Sequence, residues 1–390
     1  MRQDDHLQRR IEQKLDTRRQ QQLLRSVSAF HHQDGKLFDT DNQPYLNFSG
    51  NDYLGLAHDA SLITAWQEGL DTFGAGSTAS PLVTGFSSAH QTLERALCDW
   101  LGFERALLFN SGFSANQAVI FSLLEKHDTL LQDKLNHASL MEAGMLCDAK
   151  MQRFPHNNVH KLESMLHATA QTSARFVVTE GVFSMDGDLS PLADIRSVCD
   201  QHDAWLMVDD AHGIGVLGEQ GQGSAHAANI QPDILIVTFG KAFGMMGAAV
   251  MCSEHVHDYL TQFARHYVYS TAMPPAQAHA LSHTLSMIRT QSWRREKLSA
   301  LSAVFHEELQ GCDEVIETIT PIKPVVLGSV EKMQVIASKL KANGFLTGAI
   351  RPPTVPVNTA RLRITLSVNQ SETQVKDLAV LLRRCIEEGK

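Results

Sequence analysis

The sequence predicts an α/β fold: a large domain with a mainly parallel sheet between helices, followed by a smaller C-terminal α+β domain. Three observations carry this. From about residue 100, six short apolar runs recur: RALLFN, DTLLQD, RFVVTEG, AWLMVDD, ILIVTFG and GAAVMCS. Stretches able to form helices, among them SANQAVIFSLLEK and LADIRSVCDQH, separate most of them. After STAMPPAQAHALSHTLSMIR the alternation gives way to IKPVVLG, RLRITLS and a last helix. Strands alternating with helices imply crossover connections and a sheet buried on both faces.

In chain order, residues 7–25 are expected to form an amphipathic helix, and KLFDTDNQPYLNF a short hairpin turning at Asp41-Asn42. These make an N-terminal segment (1–45), ahead of a large domain (46–284) and a small one (285–390). The last helix opens on a capping box, Ser371 to Gln374.

At 390 residues the chain can bury a large core, and 43% apolar with 20% charged residues is a globular balance. A net charge of -9, with no basic run beyond RREK at 294–297, argues against a nucleic-acid partner. The six cysteines are scattered, without C-x-x-C or zinc spacing, and read as reduced thiols with no metal. The charged N-terminus lacks a signal peptide's apolar centre, and no run approaches the roughly 20 apolar residues that span a bilayer. The expectation is a soluble cytoplasmic protein without membrane contact.

Ligands of open parallel sheets collect beyond the strands' carboxyl ends, and four such ends are chemically unusual. Ser111-Gly112-Phe113 follows RALLFN and opens a helix, offering free N–H groups to a phosphate. RFVVTEG runs into Val182-Phe183-Ser184. Asp209 ends a buried strand and needs a metal, an arginine or a protonated ring nitrogen, unless it only caps a turn. His212 follows, as a core histidine or a site residue. Thr238-x-x-Lys241 adds a hydroxyl and a lysine among phenylalanines and glycines, either snorkelling to the surface or poised to form a Schiff base.

Gly213, Gly215 and Gly218 match G-x-G-x-x-G literally, yet Asp209 and Asp210 would repel a pyrophosphate and GEQGQGSA does not continue as a helix. A phosphate site, an aldehyde-capturing lysine and an aspartate facing a pyridinium nitrogen together describe pyridoxal 5'-phosphate (PLP).

With these residues in place, the sequence resembles the PLP-dependent α-oxoamine synthases. The likeness runs through YLNFSGNDYLGLA, LLFNSGFSANQAV, LNHASLMEAG, TEGVFSMDGD, VDDAHGIGVLGEQGQG, TFGKAFG, YSTAMPPAQA and IRPPTVPVNTARLRITL. It implies a fold-type I PLP-dependent transferase. By the resemblance, Lys241 holds the cofactor and then acts as acid and base at the substrate Cα, while Asp209 pairs with the ring nitrogen. His137 stacks on the ring, His212 and Ser184 address its phenolic oxygen, and Gly112, Phe113 and Thr238 hold the phosphate. Thr271 reaches the neighbouring subunit's cofactor, implying a homodimer with shared sites. Asn51 and Arg363 take the amino acid's carboxylate.

The implied reaction is a decarboxylating condensation. IRPPTVP is most similar to members joining L-alanine to a pimeloyl thioester in biotin synthesis, with Arg25 meeting the distal carboxylate. Sister enzymes join glycine to shorter or fatty acyl groups, as in the 2-amino-3-ketobutyrate CoA ligase type. Pro81 in GAGSTASPLVTG, the methionines of GKAFGMMGAA and Asn358 depart from the family pattern. HNNVH at 156–160 reads as a surface histidine pair, and Arg294 with Arg295 as a patch able to receive an acidic acyl carrier.

Overall fold

The computed structural model describes residues 6–21, 23–169 and 173–389. The chain divides into a unit ending at Asn47 and a unit running from Phe48 onward.

The first unit holds α1 (His6–Gln20), β1 (His31–Gln33), β2 (Lys36–Phe38) and the start of β3 (Pro44–Phe48). Helix α1 buries no residue and stops at Gln20, short of the expected 25 (Gln22 lies outside the described residues). Without an apolar face against a core, little offsets the cost of extending it. Strands β2 and β3 pair antiparallel, Leu37 opposite Tyr45, and Asn42 takes the left-handed turn conformation (φ 58°). Strand β1 was not expected. It pairs with β2 across Asp34-Gly35, both at positive φ (49° and 74°), which is hairpin chemistry legible in the dipeptide.

The second unit runs α2 (Ala60–Phe73), a π-helical turn (Pro81–Gly85), α3 (Ser88–Leu101), β4 (Arg105–Phe109), α4 (Gly112–Leu123), β5 (Thr129–Asp133), α5 (Ala138–Leu146), β6 (Lys150–Phe154), α6 (Val159–His167), β7 (Arg175–Glu180), α7 (Leu192–Gln201), β8 (Trp205–Asp209), α8 (Ser224–Ala227), β9 (Ile234–Thr238) and β10 (Ala248–Cys252). There follow α9 (Glu254–Phe263), α10 (Arg265–Val268), α11 (Pro275–Thr290), α12 (Trp293–Glu308), β11 (Ile322–Gly328), α13 (Val330–Ala342), β12 (Phe345–Ile350), β13 (Ala360–Thr365) and α14 (Glu372–Glu388).

The seven-stranded sheet has the order β4-β10-β9-β8-β7-β5-β6. Pairs from β9 through β6 are parallel, and β10 runs antiparallel between β4 and β9. The link from β9 to β10 is too short for a crossover helix, which forces that direction. Strands β5, β9 and β10 are buried at every residue, as a sheet covered on both faces requires. Leu107, Val119, Ile120 and Ile236 are fully buried in one cluster that locks α4 onto the sheet. The sequence reading passed over β6: as a sheet edge it buries only Phe154 and carries no apolar run.

In the C-terminal part β13 lies between β11 and β12, antiparallel to both. The expected capping box of α14 is present: Ser371 Oγ accepts from Gln374 N–H and Gln374 Oε1 from Ser371 N–H. Residue 285 falls within α11, a continuous helix. Among the described residues no helix is long and apolar enough to cross a membrane.

Arg294 is a buried staple and Arg295 a half-buried one, each committed to bonds within the chain. Arg294 donates to Leu54 O and Asp59 Oδ2 (both 2.7 Å), Arg295 to Ile288 O and Glu219 O (2.6 and 2.8 Å).

Candidate active site

Five strand ends converge on one cleft of about 300 Å³, lined by Asn51, Gly112, Phe113, Asn116, His137, Glu180, Asp209, His212, Thr238 and Lys241 among others. Strands β4, β5, β7, β8 and β9 point their carboxyl ends at it, so residues far apart in the chain share one wall.

The start of α4 forms one end. Ser111 caps the helix through Ser114 N–H (3.1 Å), and first-turn N–H groups have no acceptor within their own helix. A Cβ on Gly112 would sit 2.6 Å from Thr238 Cγ2, so glycine alone lets the two segments approach. Thr238 is buried, and its hydroxyl finds no partner among the described residues. A buried orphan hydroxyl beside a helix N-terminus fits a phosphate, whose oxygens accept from both.

The two adjacent aspartates have different duties. Asp209 accepts from Asn116 Nδ2 (2.7 Å) and from Ala211 N–H (3.1 Å), and it lines the cleft. Asp210 turns away and takes Ser224 N–H (2.7 Å) and Oγ–H (2.6 Å). A Cβ at Gly213 or Gly223 would strike the Asp210 carboxylate, at 2.1 and 1.9 Å. These glycines therefore wrap an internal carboxylate, and only the four-residue α8 follows. The match to a dinucleotide fingerprint is coincidental.

Burial pushes the Lys241 ammonium down to about 8; Asp209, then Glu180 where it is ionised, oppose the fall, and the charge of Arg363 adds to it. His137 caps α5 through Ser139 N–H and is exposed to the cleft. Burial also lowers its pKa, and Lys241 adds to the effect while Asp209 opposes it. A neutral imidazole is the form whose face stacks on a cationic ring at least cost.

Asn51, Tyr53, His212 and Arg363 form one network. Tyr53 Oη lies 2.6 Å from His212 Nδ1, and Arg363 donates Nη2 to Asn51 Oδ1 (3.1 Å) and to Tyr53 Oη (3.4 Å). Arg363 Nε donates to the Ser184 carbonyl (2.6 Å), while Arg361, two residues along β13, pairs with Asp186. Strand β13 thus grips the 181–190 loop with two guanidiniums. His156 holds that loop from below, bonded to Asp133 Oδ1 (3.0 Å) and Asp188 Oδ2 (2.8 Å). This corrects the reading of HNNVH: His156 is clamped between carboxylates, and only His160 lies on the surface. Asn358 takes φ 64°, a conformation asparagine tolerates where glycine is usual.

The structure brings Lys241, Asp209, His137, His212, Thr238, Gly112, Phe113 and Asn51 to the cleft. Ser184 and Arg363 join through the network. Thr271 is exposed, its carbonyl accepting from Asn110 Nδ2 (2.9 Å). Arg25 is exposed in the first unit. Sequence reasoning passed over Asn116, Tyr53 and Glu180. All three stand inside quoted blocks, and Glu180 ends its strand as Asp209 ends the next, a signal that was available.

Fold and cleft define a protein of the class I and II aminotransferases: the family model matches residues 43–380, and the chain belongs to that family. Within it, the chain is 60% identical over 380 residues to an 8-amino-7-oxononanoate synthase of Vibrio atlanticus, covering 97% of this chain and 94% of that one. The enzyme of the same name from Vibrio cholerae is 59% identical, covering 97% and 98%. Among solved structures, a serine palmitoyltransferase variant from S. paucimobilis with bound PLP–myriocin superimposes with a TM-score of 0.92 at 25% identity, over 99% of each chain. An 8-amino-7-oxononanoate synthase from Francisella tularensis gives 0.78 at 30% identity, over 88% of this chain and 98% of that one.

Proposed function

We propose that the chain is a PLP-dependent acyltransferase catalysing the 8-amino-7-oxononanoate synthase reaction of biotin biosynthesis. L-alanine condenses with a pimeloyl thioester, releasing carbon dioxide and the carrier thiol. One observation carries this reading: a lysine with a depressed pKa and an aspartate held by donors face the same cleft, in a chain some 60% identical to enzymes of that name.

Lys241 would hold the cofactor, with Gly112, Phe113 and Thr238 at its phosphate, Asp209 at its ring nitrogen, His137 on its ring face, and His212 and Ser184 at its phenolic oxygen. When bound, the cofactor supplies an electron sink for a carbanion at the amino acid's Cα. Asp209, held by Asn116 and Ala211, would sustain positive charge at the ring nitrogen. Lys241 carries the proton leaving alanine's Cα, since an amine with a pKa near 8 both accepts and returns it near neutral pH. Arg363 and Asn51 fix the carboxylate, a planar fork meeting a planar anion.

In this reading the large domain (46–284) holds the chemistry and the small domain (285–390) contributes Arg363. Arg25 meets the distal carboxylate of the acyl chain. The enzyme works in the cytoplasm as a homodimer in which Thr271 serves the neighbouring subunit's cofactor phosphate. Exposed Leu82, Val83 and Tyr269, on segments joined by the Ala272 N–H to Ala79 O bond (3.0 Å), support a second copy covering this face.

The higher TM-score of serine palmitoyltransferase favours a second reading, condensation of another amino acid with a longer acyl thioester. Shared backbone shape leaves substrate choice open, and identity near 60% weighs more than 25%. The test measures thiol release from a panel of acyl thioesters with alanine, glycine or serine. Alanine with the pimeloyl thioester is the expected preference; glycine with a short acyl group, or serine with a long one, would overturn it.

A further inference from the structure

We propose that Glu180 serves this cleft as a neutral carboxylic acid, a positioning residue that keeps a second negative charge away from Lys241. Asp209 is then the carboxylate of the cleft wall that balances Lys241. The inference rests on the reading of Lys241 as an amine that must be free to react.

The geometry comes from the sheet. Strands β7 and β8 are parallel with Glu180 directly opposite Asp209, and both residues line the cleft at only 3% and 6% exposure. Two carboxyls so placed in a poorly solvated wall do not both ionise, and the proton goes to the one with fewer donors. Asp209 has two donors, from Asn116 and Ala211. Glu180 receives the His137 backbone N–H, while its Oε1 meets no partner among the described residues.

The groups facing Glu180 agree. Burial is the largest influence holding its proton on, and Asp209 on β8 and Asp133 at the end of β5 add to it. Lys241, beyond β9, is the opposing charge, and the His137 imidazole on the α5 side is itself pushed towards neutrality. The consequence falls on Lys241. An ionised Glu180 would stabilise the ammonium, and a protonated lysine has no lone pair to offer an aldehyde or a Cα proton.

The test uses the full-length chain before cofactor is added, following the pH dependence of Lys241's reaction with an amine-selective reagent. Glu180→Gln, which copies the neutral acid in shape and charge, should leave that midpoint near its wild-type value. A fall of about one pH unit or more, the loss of a neighbouring anion's field, would overturn the proposal. Infrared difference spectra at neutral pH should show a protonated-carboxyl band that Glu180→Gln removes; an unchanged spectrum would also overturn it. Asp209→Asn should move the loss of that band to lower pH, and an unmoved band would break the coupling. Retained turnover in Lys241→Ala would sink the proposed function instead, and these titrations do not depend on turnover.

Discussion

Tyr53 and His212 meet at 2.6 Å, phenol oxygen to Nδ1, across 159 residues of chain. Burial holds the phenol's proton on, raising its pKa to about 12, and burial with the nearby cations keeps the imidazole neutral. Arg363 already donates to the phenol oxygen, and of the acceptors in reach Nδ1 at 2.6 Å is nearer than Asn51 Oδ1 at 3.3 Å, so Tyr53 donates its hydrogen to Nδ1. His212 is thereby fixed with its proton on Nε2, a donor suited to an acceptor oxygen in the cleft.

Tyr53→Phe should therefore fold normally but lose about tenfold in turnover, the worth of one net hydrogen bond of ~1.4 kcal/mol. The bound cofactor's absorption should shift as well. An unaltered spectrum with full activity would show that the tautomer is set elsewhere.

Lys241→Ala should abolish turnover and the cofactor's visible band, because among the described residues no other lysine lines the cleft. Steady-state assay with absorption spectroscopy reads both. A variant keeping substantial activity would remove Lys241 from its proposed role.

Arg363→Lys should raise the KM for alanine roughly tenfold or more, since a point charge loses the paired donors that a carboxylate meets. The thioester's KM should change far less. The same substitution also releases the Ser184 carbonyl and loosens the 181–190 loop.

His156 makes stability depend on pH. Its pKa rises to about 10 from 6.5 because the hydrogen bonds and charges of Asp133 and Asp188 outweigh burial. A raised folded-state value means the clamp contributes fully below pH 6.5 and is lost as pH climbs through about 10. Thermal unfolding midpoints should fall across that window. His156→Gln should flatten the fall and cost roughly 3 kcal/mol at neutral pH, the scale of a half-broken buried pair. Equal slopes in both proteins would count against the clamp.

Gly112→Ala should weaken PLP binding by about an order of magnitude, as a Cβ 2.6 Å from Thr238 Cγ2 pushes the helix start away from the hydroxyl. Equilibrium titration of the cofactor measures it, and unchanged affinity would refute the cradle.

Much of this was legible in the chain alone. The six apolar runs became β4, β5, β7, β8, β9 and β10 because a sheet covered on both faces demands apolar residues at consecutive positions, a local signal. Edge strand β6 and the short β1 lacked that signal, and α1 ended early because it found nothing to bury. Lys241 and Asp209 stood out as charged residues at apolar strand ends. Glu180 carried the same strand-end signal as Asp209, whereas Asn116 and Tyr53 did not, because an amide and a phenol are ordinary until their neighbours are known.

The amino-acid order thus determined which segments are strands, where their chemistry-bearing ends lie, and which family the chain resembles, since pattern and motif are properties of neighbours along the chain. Only the folded arrangement decided that Asp210 braces a glycine loop while Asp209 lines the cleft, that His156 is a clamp, and that Arg294 is a staple. Those outcomes depend on partners tens to hundreds of residues away, and the charge and hydrogen bonding of a buried group are set by what packs against it.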